Sequence, residues 1–248
     1  MRYVVLSDIH SNIDALDAVL EDARRSPADA TLVLGDLVGY GAEPEQVISK
    51  VRALNPLAIV RGNHDKVVAG VDSVEGFNPL ARMAVTLTRQ ALSQESLDYL
   101  AALPKGPLVV APGLEICHGS PYDEDWYLHH ELDVLEALEQ SECAICLFGH
   151  THLPFAATVG ARGGLDVLVA GDNAGSELNL GDGRRYVVNP GSIGQPRDGD
   201  PRAAYGVLDT QAMRWEFRRV AYPVERARDR IFAAGFPRQL GLRLMRGR

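Results

Sequence analysis

Up to residue 60, short apolar runs alternate with segments of helical period. Residues 3–6 form an apolar run, the pattern of a buried strand. Ile13, Leu16, Val19, Leu20 and Ala23 then recur near helical spacing over 12–25, with Ala18 less well placed. A strand at 31–34, a helix at 43–54 with Pro44 at its first position, and a strand at 57–60 complete the rhythm. This β-α-β-α-β order predicts neighbouring parallel strands joined by right-handed crossovers. A helical excursion at about 66–104 follows, with a loop carrying Gly70 and Gly76 and helices at 79–91 and 94–103, the second capped by Ser93. From 108 onward strand patterns dominate: 108–111, 114–117, 144–148, 155–159, 167–170, 185–188, 204–208 and 213–219. A helix at 131–140 interrupts them, turns fall at 160–164 and 181–183, and helices at 223–234 and 237–245 close the chain. No internal repeat or low-complexity linker divides it, so residues 1–248 read as a single domain.

The chain has 248 residues, 46% of them hydrophobic, enough for one substantial core. No apolar run approaches the roughly 20 residues that span a bilayer, so no membrane partner is expected. The balance of 25 basic against 33 acidic residues, a formal net of −8, disfavours non-specific nucleic-acid binding. A cleaved leader would remove the polar motif at Asp8, so no targeting segment is expected. The cysteines are Cys117, Cys143 and Cys146, an odd count that suits a reducing, cytoplasmic setting. Cys143 and Cys146 have C-x-x-C spacing, but no second pair completes a zinc site. The segment from Ala144 to Phe148 reads as a buried strand, where free cysteine acts as a small apolar residue.

The candidate chemistry lies in five short motifs: Asp8-Ile-His10, Gly35-Asp36, Gly62-Asn63-His64-Asp65, His118-Gly-Ser and Gly149-His150-Thr-His152. The first three begin just past the carboxyl ends of the first three expected strands, the edge where open α/β sheets place ligands. Oxygen and imidazole donors suit divalent first-row metals, and two such ions side by side can clamp both oxygens of a displaced phosphate ester. Asp8 and His10 flank one residue, so a loop can aim both at one ion. Asp36 is the best bridging candidate, because a carboxylate can give one oxygen to each of two metals. Gly35 and Gly62 let backbone pass close to the cluster. Asn63 is a neutral oxygen ligand, and His118, His150 and His152 supply imidazoles. Alone, an Asp-x-His pair or a Gly-Asn-His-Asp turn carries little information. Here five of the seven histidines fall in the joint set. His129 and His130 fit either a solvated helix start or the edge of a substrate site. Arg238, Arg243, Arg246 and Arg248 fit a solvated helix face. Asn12 fits a helix cap or a place near the site.

This set resembles the calcineurin-like metallophosphoesterase superfamily. The whole chain, including the stretch from Asn189 to Arg197, resembles its small bacterial phosphodiesterase-type members. The resemblance implies an α/β fold (α+β in some schemes), a four-layer α/β/β/α sandwich of two mixed sheets flanked by helices. It implies that Asp8, His10, Asp36 and His152 hold one metal and that Asp36, Asn63, His118 and His150 hold the other. Mn²⁺ is the expected ion, and Fe²⁺, Ni²⁺ and Zn²⁺ suit the same ligands. A hydroxide bridging the metals would attack phosphorus in line with the leaving group. His64 would protonate or stabilise the leaving oxygen, with Asp65 orienting it. Ser192 and Arg197 would lie near the metals as substrate-binding candidates, as would Asn12.

One departure sharpens the expected substrate. The phosphoprotein phosphatase branch continues its Gly-Asp motif to Asp-Arg-Gly, whose arginine grips phosphate. Here the matching stretch is Gly39-Tyr40-Gly41. An aromatic ring in place of a bidentate clamp suits a diester or nucleotide whose organic group stacks on Tyr40, with Arg61 or Arg197 supplying charge. The expected function is therefore a dinuclear-metal phosphodiesterase acting on small diesters such as cyclic nucleotides. The alternatives are a phosphomonoesterase or phosphoprotein phosphatase, a dinucleoside polyphosphate hydrolase, and an inactive scaffold like the retromer subunit that resembles this fold. Such scaffolds lose the catalytic histidine, and His64 is present here. The expected partner is a small phosphoester or nucleotide, with apolar positions on the last helices able to support a homodimer.

Overall fold

The computed structural model describes residues 1–161, 163–169 and 176–248. Arg162, within an expected turn, and Ala170, the end of an expected strand, lie outside the described residues. Among those described, one six-stranded sheet has the spatial order β3 (Ala58–Ile59), β2 (Ala30–Val33), β1 (Arg2–Leu6), β11 (Ala203–Asp209), β12 (Arg214–Val220) and β9 (Glu177–Asn179). The other has the order β4 (Leu108–Ala111), β5 (Leu114–Ile116), β6 (Ile145–Leu147), β10 (Tyr186–Asn189), β7 (Phe155–Val159) and β8 (Leu165–Val169). Strands β1, β2 and β3 are parallel, as the opening rhythm predicts, and so are β5, β6 and β10. Each sheet thus has a set of three parallel strands whose carboxyl ends point the same way.

Strand periodicity sorts the side chains into layers, because successive residues face opposite sides. Tyr3, Val5, Leu32 and Leu34, with Trp215 of the same sheet, face the other sheet and meet Ile116, Leu147 and Val188 there. Val4, Leu6 and Val33 face outward. Against them pack α1 (Ile13–Arg24), α2 (Pro44–Leu54), α3 (Asn63–Ala69), α4 (Pro79–Gln90), α5 (Gln94–Ala102), α7 (Val224–Ala233) and α8 (Arg238–Leu244). On the far side, α6 (Glu131–Gln140) covers the second sheet through Val134, Ala137 and Leu138, against Cys146, Phe148 and Val187. The result is the α/β/β/α sandwich implied by the motifs. All three cysteines are free and buried, as the strand reading requires. No helix among the described residues is long and apolar enough to cross a membrane.

Two caps follow the sequence: the Asn12 side chain accepts from the Ala15 N–H at 3.1 Å, and Ser93 from the Ser96 N–H at 3.2 Å. Three elements depart from it. The strand expected at 57–60 shortens to Ala58–Ile59, and β9, three residues long, carries no alternation long enough to read. Helix α3 begins inside the Gly62-Asn63-His64-Asp65 motif, where a loop was expected, and ends at Gly70. Seven residues are too few to display a helical period.

Trp215 is fully buried between the sheets. Trp215→Ala is expected to cost about 3–5 kcal/mol of unfolding free energy, read from the urea midpoint at unchanged slope. A loss below about 1 kcal/mol would show that the inter-sheet core is not tightly packed there.

Candidate metal centre

The site is built where the six parallel strands end. Asp8 lies two residues past β1, Asp36 three past β2, His118 two past β5 and His150 three past β6. The loops then bond to one another. Asp8 N–H donates to Gly35 O at 3.1 Å and His10 N–H to Asp36 O at 3.0 Å. The loop after β10 ties the sheets together: Ile193 N–H donates to Ser7 O at 3.1 Å, Gly194 N–H to Asp8 O at 2.9 Å and Ser192 Oγ to Asp8 O at 2.8 Å.

Two groups of donors result, Asp8, His10, Asp36 and His152 on one side and Asp36, His118 and His150 on the other, all buried, with the donor atoms within each group lying within 4.8 Å of one another. Asp36 belongs to both. Its Oδ2 is 3.5 Å from His10 Nε2 and 3.5 Å from His118 Nε2. Asn63 Oδ1 lies 3.2 Å from His118 Nε2 and joins the second group. All seven ligand candidates therefore converge.

Hydrogen bonds fix the imidazole tautomers. Backbone carbonyls accept from Nδ1–H of His10 (Val38 O, 3.0 Å), His118 (Leu34 O, 2.7 Å) and His152 (Gln195 O, 2.6 Å). In the neutral rings this leaves each Nε2 as a bare lone pair aimed at the cluster. His150 is reversed: Nε2 donates to Asp125 O at 3.0 Å, so Nδ1 carries the lone pair. His10 Nε2 and His152 Nε2 lie 3.1 Å apart. Two lone pairs at that separation repel unless a cation or proton sits between them, so the donor set fits divalent metal ions.

The electrostatics agree. Burial works to raise the Asp36 carboxyl, but His118, His64 and His10 around it outweigh burial and hold it well below the usual carboxylate range. Asp8 is likewise held low against burial, chiefly by the charge and hydrogen bond of His152. Burial works to lower His118, yet the charge and hydrogen bond of Asp36 raise it to about 10. Burial carries His10 and His150 down.

Close approach explains two glycines. A Cβ on Gly62 would sit 2.1 Å from Asp36 Oδ1, and one on Gly149 2.1 Å from Ser7 Oγ, which itself donates to Asp8 Oδ2 at 2.6 Å. Asp8, His10, Ser11, Asp36, Tyr40, His150 and His152 all have positive φ, between 48° and 65°. Left-handed backbone costs a non-glycine residue about 1–2 kcal/mol and persists only where surrounding contacts impose it.

The other expected site residues take different places. His64 is buried beside the cluster, with its ring 4.4 Å from Tyr40 and 4.7 Å from Phe77 between centroids. Burial pushes it down to about 4, and its Nδ1 has no hydrogen-bond partner among the described residues. Asp65 does not orient it. The Asp65 oxygens accept from Val38 N–H at 3.1 Å and Gly62 N–H at 3.0 Å, because its place in the first turn of α3 aims it back at the helix start. Burial and then the Asp36 charge push Asp65 up to about 7.

Tyr40 is not an open platform: it is 6% exposed, packed on His10 and His64. Asn12 and Ser192 are engaged by the scaffold. Asn12 Nδ2 donates to Gly194 O at 3.0 Å and Tyr222 Oη at 3.2 Å, while Ser192 Oγ donates to Asp8 O and accepts from Gln195 N–H at 2.9 Å. Arg61 is held by Glu124 in a two-point pair at 2.9 and 2.8 Å. Arg197 is the arginine whose charge reaches His64, His152, Tyr40 and Tyr127.

Sequence reasoning missed the segment that closes the second group. Tyr127 stacks on His150, centroids 3.7 Å apart and 27° between planes, and is 39% exposed. The segment is anchored by Lys66, 4% exposed, which pairs with Asp125 at 2.6 Å, Asp72 at 3.0 Å and Glu124 at 3.2 Å. Lys66 directly follows the Gly62–Asp65 motif, the one signal that could have marked it.

Residues 1–213 match the family model described as the calcineurin-like phosphoesterase superfamily domain. The uncharacterized protein MJ0912 of Methanocaldococcus jannaschii is 36% identical over 98% of this chain and 97% of its own. Phosphodiesterase YfcE of Escherichia coli is 25% identical over 86% of this chain and 90% of its own. A metallophosphoesterase from Sphaerobacter thermophilus superposes with a TM-score of 0.88 at 37% identity, covering 100% of this chain and 99% of that one.

Lys66→Met is expected to free the 123–127 segment. Hydrogen bonds to charged groups contribute about 1.5–3 kcal/mol, so the Trp126 amide, bonded to Asp123 O, should exchange at least about tenfold faster while β1 stays protected. Unchanged exchange at Trp126 would show that the lysine is not the anchor.

Proposed function

The chain belongs to the calcineurin-like phosphoesterase superfamily and is a phosphoric ester hydrolase, and we propose that it is a phosphodiesterase of small diesters, cyclic nucleotides among them, working with two divalent cations that share Asp36. The observation that carries the reading is the Asp36 carboxylate, placed within one cluster with Asp8, His10 and His152 and a second with His118 and His150. Asp8, His10, Asp36 and His152 would hold one ion and Asp36, Asn63, His118 and His150 the other, Mn²⁺ being the expected species. Ions held there acidify water and neutralise phosphoryl charge.

The chain's own groups supply the rest. The carbonyls of Val38, Leu34 and Gln195 hold the three rings with Nε2 aimed inward, and His118, raised to about 10 by Asp36, would give up its proton when a cation binds. His64 is neutral at pH 7, since burial holds it near 4, and a neutral imidazole can donate one N–H to a departing oxygen. The preference for a diester rests on charge. Arg61 is committed to Glu124, while the charge of Arg197 reaches the mouth of the site. One guanidinium matches a singly charged diester better than a doubly charged monoester. The name of the Escherichia coli relative points the same way.

Stripped protein reloaded with Mn²⁺ is expected to turn over bis-p-nitrophenyl phosphate in strong preference to p-nitrophenyl phosphate; the reverse preference would overturn the diesterase reading. His64→Ala is expected to keep its metal by elemental analysis yet lose roughly 10²- to 10⁴-fold in kcat on diesters with alkyl leaving groups. Unchanged turnover of an alkyl ester would remove His64 from that role.

A further inference from the structure

Beside the metal centre lies a groove of about 420 Å³ that the chemistry above does not use. Three segments that build the centre run directly into its walls. His150 and His152 continue into Leu153 and Phe155, Tyr127 continues into Leu128 and His129, and Arg197 continues into Asp198. The rings of His150, Tyr127 and His129 form an unbroken stack, with centroids 3.7 and then 4.9 Å apart, leading from the second donor group to the groove. The far wall is β8. Val167 and Val169 lie on one face of that strand, opposite Ala157 and Phe155 in register, and are 49% and 68% exposed. Alternate apolar residues left open on an edge strand mark a surface made to be covered.

We infer that this groove is a subsite for an uncharged apolar organic group of the phosphodiester, held while its phosphate lies at the Asp36 centre. The inference rests on the phosphodiesterase reading and narrows its substrate class. Continuity with the centre argues for a substrate group over any separate partner, because the Tyr127 ring stacks both on His150 of the second donor group and on His129 of the groove lining. The volume lies in the range of small-ligand pockets, about 300–1,000 Å³. The lining is chiefly apolar, with Leu128, Val134, Leu153, Phe155, Val167 and Val169. Of its carboxylates, Asp198 is already paired with Arg219, and no lysine or arginine lines the groove among the described residues, so nothing there calls for a second phosphate. Arg197, beside Asp198, lies at the junction, where the single negative charge of the diester belongs.

The test compares methyl, hexyl and thymidine 5′ esters of p-nitrophenyl phosphate on the Mn²⁺-loaded full chain. KM for the hexyl or thymidine ester is expected to fall at least about tenfold below that of the methyl ester, because the larger group is removed from water. The ester that gains tells a chain from a nucleoside as the natural substituent. Val167→Asp, or Val169→Asp should the first fold poorly, is expected to bring that ratio toward one. Equal KM across the esters, or a ratio unmoved in both variants, would overturn the subsite. A change of oligomeric state by sedimentation with the ratio unmoved would instead assign the groove to a second copy, and would also overturn it. Calorimetric titration with the hexyl and methyl monoesters of methylphosphonate reads the subsite without turnover. Tighter hexyl binding, weakened in Val167→Asp, supports the subsite even where no ester is hydrolysed, an outcome that defeats the phosphodiesterase reading alone.

Discussion

A single buried carboxylate, that of Asp36, sets the terms for the rest of the molecule. An ionised carboxylate in a protein interior is costly unless charge or hydrogen bonds surround it. Here the His64 N–H donates to Oδ1 at 2.9 Å, and His10 and His118 face Oδ2 from opposite sheets. Each partner imposes a further requirement. Gly62 has to lack a side chain so that α3 can begin against Oδ1. His118 has to arrive from the second sheet, which fixes how the two sheets close at that edge. Metal ions shared by this carboxylate would complete its neutralisation.

The cost of that arrangement appears in the backbone. Left-handed, non-glycine residues gather at Asp8, His10, Ser11, Asp36, Tyr40, His150 and His152. Three carbonyl-fixed histidines and the loop from Asn189 to Gln195 hold these positions in place. A rigid sandwich with parallel strand ends on both sheets supplies the frame. Its core is arranged by simple alternation, and apart from Asn55 and Met213 the left-handed positions among the described non-glycine residues lie in the loops that carry the chemistry.

Much of this was legible in the sequence, for a physical reason. Metal ligation demands particular residue types, so Asp8, His10, Asp36, His118, His150 and His152 stand out even when scattered over many loops. The parallel β-α-β-α-β opening was legible because buried strands and amphipathic helices carry different periods. Other features leave no such mark. The pairing of Lys66 with Glu124 and Asp125 depends on long-range approach, and any exposed lysine would look the same in sequence. The family resemblance implied Asp65 as a partner of His64, but the start of α3 turns it toward Val38 and Gly62. Tyr40 was read as an open ring, whereas its left-handed backbone turns it in against His10 and His64. The open ring is Tyr127, within a stretch with no periodic signal at all.

The functional account therefore depends on Asp36 more than on any substrate-facing group: if the two donor groups do not act through one carboxylate, neither the charge balance nor the proposed chemistry follows. The most direct measurement is metal content by elemental analysis of the parent protein and of Asp36→Ala, both stripped and reloaded under the same conditions. Two ions per parent chain are expected, with loss of both together in the variant. Two ions retained in Asp36→Ala, with the fold intact by circular dichroism, would contradict it.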